Sequence, residues 1–115
     1  MPTPAGHTRA IQASRVIGTS VENRNAQTMG SVKDVILDKM SDRIMFAVVS
    51  FGGFLGIGEK YHALPWAKLD FNPDKNAYVV DIDRAVLERA PTYDLKDFTA
   101  DDGAIAAATT SYYRN

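Results

Sequence analysis

Four glycines fall within seven residues of the stretch "SFGGFLGIGEKYHALPW", Ser50 to Trp66: Gly52, Gly53, Gly56 and Gly58, with Lys60 two places on. Glycine loops with a lysine bind phosphate when a helix opens behind them and aims its N–H groups at the anion. The Walker spacing G-x-x-x-x-G-K-[ST] decides the matter here. Gly53 and Gly58 have its separation, but Glu59 stands at the lysine position and Tyr61 follows Lys60 where Ser or Thr is needed. A carboxylate beside phosphates has the wrong sign. Gly53, Gly56 and Gly58 also reverse the dinucleotide spacing G-x-G-x-x-G, and "KYHALPW" is β-like, not helical. A backbone role fits better. The glycines allow positive φ and a sharp strand reversal. Phe51, Phe54, Leu55 and Ile57 are then displayed for burial against a neighbour.

Other chemistry-bearing residues are sparse. In "NPDKNAYVVDID", Asn72, Asp74, Asn76 and Asp83 occupy positions 1, 3, 5 and 12 of a calcium-loop frame. Ala77 replaces the required glycine and Asp83 the bidentate glutamate, so a hairpin turn is expected. His7 and His62 make no metal-ligand pattern. Asp81 and Asp83 share a strand face, and such pairs at strand ends are more often solvated or capping. No serine has a G-x-S-x-G context. These residues supply no oriented base and nucleophile, so the expectation is a protein without enzymatic activity and without a cofactor or metal. A small-ligand site using His62 and Trp66 near the glycine loop is the alternative.

The chain as a whole sets limits on these options. At 115 residues it suits one domain. A net charge of −1 with no basic run argues against nucleic acid as partner. There is no cysteine, which excludes thiol chemistry and fits a cytoplasmic protein. No apolar run approaches the ~18 residues of a membrane span, and "MPTPAGHTRAIQAS" lacks the apolar core of a secretory signal.

The elements that would position these residues are short strands. Residues 1–13, with two prolines and a glycine, read as a flexible arm. Val16 and Ile17 lead to Gly18 and Val21 as a first strand. Gly30 opens "SVKDVILD", where Lys33, Val35, Leu37 and Lys39 alternate with Asp34, Ile36 and Asp38 at the period of a half-buried strand. "IMFAVVSFGG" is apolar on both parities: Ile44, Phe46 and Val48 on one side, Met45, Ala47, Val49 and Phe51 on the other. One face must fill the core, and the other must be covered by a second element, a tail or another chain. "KYHALPW", "AKLDFN" and "AYVVDID" extend the β pattern. "DRAVLERAP" reads as a short helix with Asp83 as its N-cap. Beyond it, "AIAAATTSYYR" is a weak helix candidate: its alanines favour helix and its threonines do not. Strands at 8–12-residue spacing point to an all-β barrel or sandwich with antiparallel strands.

These residues carry a family resemblance. Gly18 near the end of the first strand, "GSVKDVILD", the apolar strand running into "SFGGFLGIGEK", and "ALPWAKL" occur in the order of the PRC-barrel domain, named for the cytoplasmic domain of the photosynthetic reaction centre H subunit and found also in a ribosome-maturation factor. The chain resembles a stand-alone bacterial member, with the domain over residues 14–91 and an extension over 92–115. The resemblance implies a small antiparallel β-barrel of about six strands, with a short helix after the last strand and a C-terminal tail. It implies an assembly module that binds other proteins, with no shared catalytic residues to carry over. Self-association is expected from the residues themselves: the two-sided apolar strand, the Phe54–Ile57 loop and the anchor-bearing tail. A ribosome-linked adaptor role follows from family analogy alone. The tail aromatics Tyr93, Phe98, Tyr112 and Tyr113 are the expected contact residues in the extension, covering a barrel face in cis or in trans.

Overall fold

The computed structural model describes residues 10–50, 61–100 and 103–114. The glycine loop therefore lies outside the described residues, and with it Phe51, Gly52, Gly53, Phe54, Leu55, Gly56, Ile57 and Gly58; so do His7 and most of the arm.

A helical turn, α1 (Ala13–Val16), precedes six strands: β1 (Ser20–Asn23), β2 (Thr28–Asp38), β3 (Arg43–Ser50), β4 (Tyr61–Pro65), β5 (Asp70–Asn72) and β6 (Ala77–Val80). Two further helices follow, α2 (Arg84–Glu88) and α3 (Ala104–Tyr112), with a 3-10 turn at Leu95–Thr99 between them. Val16 thus ends a helical turn and does not begin the first strand. Gly18, at φ 94°, turns the chain there, and its N–H donates to the Val32 carbonyl at 2.7 Å. Only glycine holds that backbone conformation without strain.

The strands form one sheet in the order β4-β3-β2-β1-β6-β5. It is a mixed sheet, because β1 pairs with β6 in parallel. This corrects the expectation of an all-antiparallel barrel, and the cause lies at one corner. After β4 the chain passes through a 3-10 turn, Trp66–Lys68, into β5. The pairings of the six strands give β4 and β5 the same direction. The corner carries the chain from one edge of the sheet to the other without reversing it, so β6 returns alongside β1 and not against it. β4 and β5 are the two edges and do not pair with each other, so the described sheet is not closed into a barrel.

Three single-residue bulges adjust the faces. Lys33 has no partner between the Val32–Val49 and Asp34–Val48 pairs. A bulge places both Val32 and Val35 on the core face, where unbroken alternation would have parted them. Met45 is skipped between Phe46 and Ile44 in the same ladder, and it packs beside Phe46, not on the Ala47 side. Met29 is skipped beside Gly30, whose φ is 124°.

β3 is buried on both faces. Ala47 and Val49 join Val21, Met29, Val32, Leu64, Tyr78 and Val80 in the main core, closed by Val16 and by Leu87 of α2. Phe46 and Val48 face the other way, with Tyr61 and Ala63 of β4. Phe98 and Ile105 of the C-terminal extension cover that second face. The cover is in cis: the tail that follows α2 folds back over its own sheet. α3 presents Ile105 and Thr109 as its buried stripe, continued by Tyr113 at its C-cap, the i, i+4, i+8 spacing of one helical face.

Asp83 does occupy the N-cap position of α2, but its side chain makes no capping hydrogen bond. The cap that forms is further on. At the 3-10 turn the Asp94 and Asp97 side chains accept from each other's backbone N–H groups in a capping box.

Candidate functional site

The aromatic anchors of the extension are brought together, but not all as contact surface. Tyr93 forms a two-bond bridge with Tyr61, each N–H donating to the other's carbonyl at 2.9 Å, which adds one rung to the β4 edge. Its ring meets Phe98 edge-on, centroids 5.4 Å apart, and Phe98 meets Phe46 at 5.8 Å. Tyr112 donates its hydroxyl to the Val86 carbonyl at 2.7 Å, tying α3 to α2. Tyr113 is buried in the main core. Burial pushes its phenol far above the ordinary tyrosine range, with the neighbouring Tyr112 and Tyr93 adding to the shift. Its hydroxyl has no hydrogen-bond partner among the described residues. An unsatisfied buried hydroxyl is unfavourable, so Tyr113→Phe should leave stability unchanged or raise it by up to about 1 kcal/mol. Thermal denaturation of the two chains checks this; a clear loss would mean that the hydroxyl is satisfied.

Among the described residues, His62 and Trp66 are held by separate contacts. His62 sits on the core side of β4, only 5% exposed, and its Nδ1 donates to the Pro91 carbonyl at 3.2 Å. Burial lowers its pKa, and the Pro91 carbonyl, which favours the charged ring, offsets part of that. The folded state therefore prefers the neutral ring more than the unfolded chain does. Its contribution is complete above the unfolded value of about 6.5 and is lost as pH falls below it toward the folded value. The melting temperature should drop between neutral pH and pH ~5, and His62→Gln should flatten part of that slope. Trp66 packs on Tyr78, centroids 5.7 Å apart. The acidic pair stays together: Asp81 and Asp83 line one pocket of about 240 Å³ with Lys68, and Asp81 also pairs with Arg24 at 3.5 Å, both well exposed.

The calcium frame resolves into a hairpin. The Asn72 Oδ1 accepts from the N–H groups of Asp74 and Lys75 at 2.9 and 3.2 Å, and Asn76 takes φ 53°. That is an Asx turn between β5 and β6. Among the described residues no group of three His, Asp or Glu can hold a metal.

What the fold does build is a groove of about 670 Å³ where the end of the β2–β3 hairpin meets the extension. Ile36, Met45 and Phe46 line it from the sheet; Phe98, Gly103 and Ala106 line it from the extension. Leu37 and Met40 stand at its hairpin side, 62% and 93% exposed. Asp38 holds the turn: it accepts from the Met40 N–H at 2.9 Å and the Ser41 hydroxyl at 2.8 Å. These bonds keep its carboxyl below the usual aspartate range. The turn they fix pushes Met40 outward. Of the groove residues, Phe98 alone was legible as a contact residue in advance. Leu37 was hidden inside an alternating strand pattern, and Met40 inside a polar turn, "KMSDR".

The family model of the PRC-barrel domain matches residues 9–87. The chain belongs to the PRC-barrel family. The match ends within α2, so the extension that forms the second wall of the groove lies beyond the family domain. A comparison with curated proteins finds no match. Among solved structures, the chain is similar to RimM of Pseudomonas aeruginosa, a 16S ribosomal RNA processing protein, at 15% identity and a TM-score of 0.46. The alignment covers 72% of this chain and 50% of that one, so this PRC-barrel chain spans about half the length of that protein. Among the described residues no helix is long and apolar enough to cross a membrane.

Proposed function

We propose that this PRC-barrel chain is a non-enzymatic interaction module that binds protein through the groove between its β2–β3 hairpin and its C-terminal extension. One observation carries the reading. Leu37 and Met40, two large apolar side chains, stand mostly in solvent at the side of a groove whose walls are more apolar than polar, with Asp38, Lys39 and Thr99 among them. Exposed apolar side chains grouped around a concave wall mark a contact surface, and methionine adapts to varied partners because its unbranched chain repacks readily. The second apolar face of β3 is already covered in cis, so the groove and not that face is the surface on offer.

Site-specific photo-crosslinking tests the reading. A photoreactive residue at position 37 in the full chain, expressed in its native host, should give protein-sized adducts. The same residue at Asp70 on the β5 edge should not. Equal adducts at both positions, or none at 37, would contradict it.

A further inference from the structure

We infer that the groove's occupant is the hairpin tip of a second copy of this chain, related by a two-fold axis. The inference rests on the interaction-module reading and names its partner. Knob and hole lie side by side: Met40 projects at the hairpin side of a groove lined by Met45, Phe46 and Phe98. A two-fold contact uses one patch on both subunits, so each copy offers its knob where it offers its hole. Each Met40 enters the partner's groove. Charge supports the same occupant. The tip "DKMSDR" carries two acids and two bases, Asp38, Lys39, Asp42 and Arg43. Among the described residues Lys39, Asp42 and Arg43 enter no ion pair, and all three are exposed. Facing its own image, this tip sets Lys39 and Arg43 against Asp42 and Asp38. A strongly acidic or basic partner would meet two like charges for every two opposite ones, so a neutral, alternating tip selects a neutral, alternating tip. A tip-to-tip contact buries less than the ~1,200 Å² of a standard stable interface, so the pair should form in a concentration-dependent way.

Sedimentation equilibrium on the full chain tests this. Wild-type mass should rise with concentration toward that of a dimer. An acidic tip, Lys39→Glu with Arg43→Glu, and a basic tip, Asp42→Lys, should each weaken pairing about tenfold or more. Mixing the two should restore a dimer that contains both. Asp38 is left alone because it holds the turn. Met40→Asp should abolish pairing and Met40→Leu should keep it; Met40 is exposed, and circular dichroism and melting curves show that each variant is folded. A wild-type chain that stays monomeric, or a dimer that persists in both tip variants alone, overturns the inference. Crosslinks from position 37 to a different protein alone would also overturn it, while leaving the interaction-module reading intact.

Discussion

A chain ending at Pro91 should lose its cooperative thermal transition or associate non-specifically. The extension buries Phe98, Ile105 and Tyr113, and a fully buried side chain of this size contributes about 1.5–3 kcal/mol. Ordering the extension opposes part of that gain. The whole stability of a domain this size is only about 5–15 kcal/mol, so the loss is a large share of it. Truncation also uncovers Phe46, Val48, Tyr61 and Ala63 as one apolar face, the kind of surface that drives association. Light scattering and a dye that reports exposed apolar surface check both consequences. A truncated chain that is monomeric and melts within a few degrees of the full chain would make the extension an accessory. The edge is exposed too: removing residue 93 deletes the bridge that pairs Tyr61 at the β4 edge, and unpaired edges template association.

Phe46→Ala should be among the most destabilising single changes on the sheet, by about 3–5 kcal/mol. Phe46 is 2% exposed, packs against Phe98 and lies on the face of β3 that the extension covers. The cavity left by its ring cannot be filled from the β-sheet side, where backbone spacing is set by the ladder. Urea denaturation measures the change. Met40→Ala, at the exposed tip, should shift stability by less than about 0.5 kcal/mol, so the pair separates a residue that holds the fold from one offered to a partner.

The pattern of β3 held the most information about the fold. Apolar residues on both parities require two covers, and the structure supplies the sheet core on one side and the chain's own extension on the other. Residue types could not distinguish a cover in cis from one in trans, because Phe98 and Ile105 would bury the same area either way. Strand direction was less accessible. "ALPWAKL" reads as extended, but the parallel β1–β6 pairing depends on whether the chain reverses at Trp66–Lys68, which is a matter of corner geometry and not of composition. The bulges at Lys33 and Met45 are invisible for a similar reason: a skipped partner is a property of two strands, and neither strand alone records it. The groove was hidden because its walls come from residues about sixty positions apart in sequence, Ile36 to Phe46 on the hairpin and Phe98, Thr99, Gly103 and Ala106 on the extension, joined only when the extension folds back. His62 shows the opposite case. A lone histidine in an apolar strand could serve a ligand or the core, and its hydrogen bond to the Pro91 carbonyl gives it a structural partner.

The extension docks on the outer face of β3 in the same chain and thereby makes the groove wall. A double-mutant cycle between Phe46→Ala and Phe98→Ala, read by denaturation at low protein concentration, tests it most directly. Ring contact in cis predicts a coupling of about 0.5–3 kcal/mol, independent of concentration. Additive losses, or a coupling that appears only as concentration rises, would show that the extension does not pack on its own sheet.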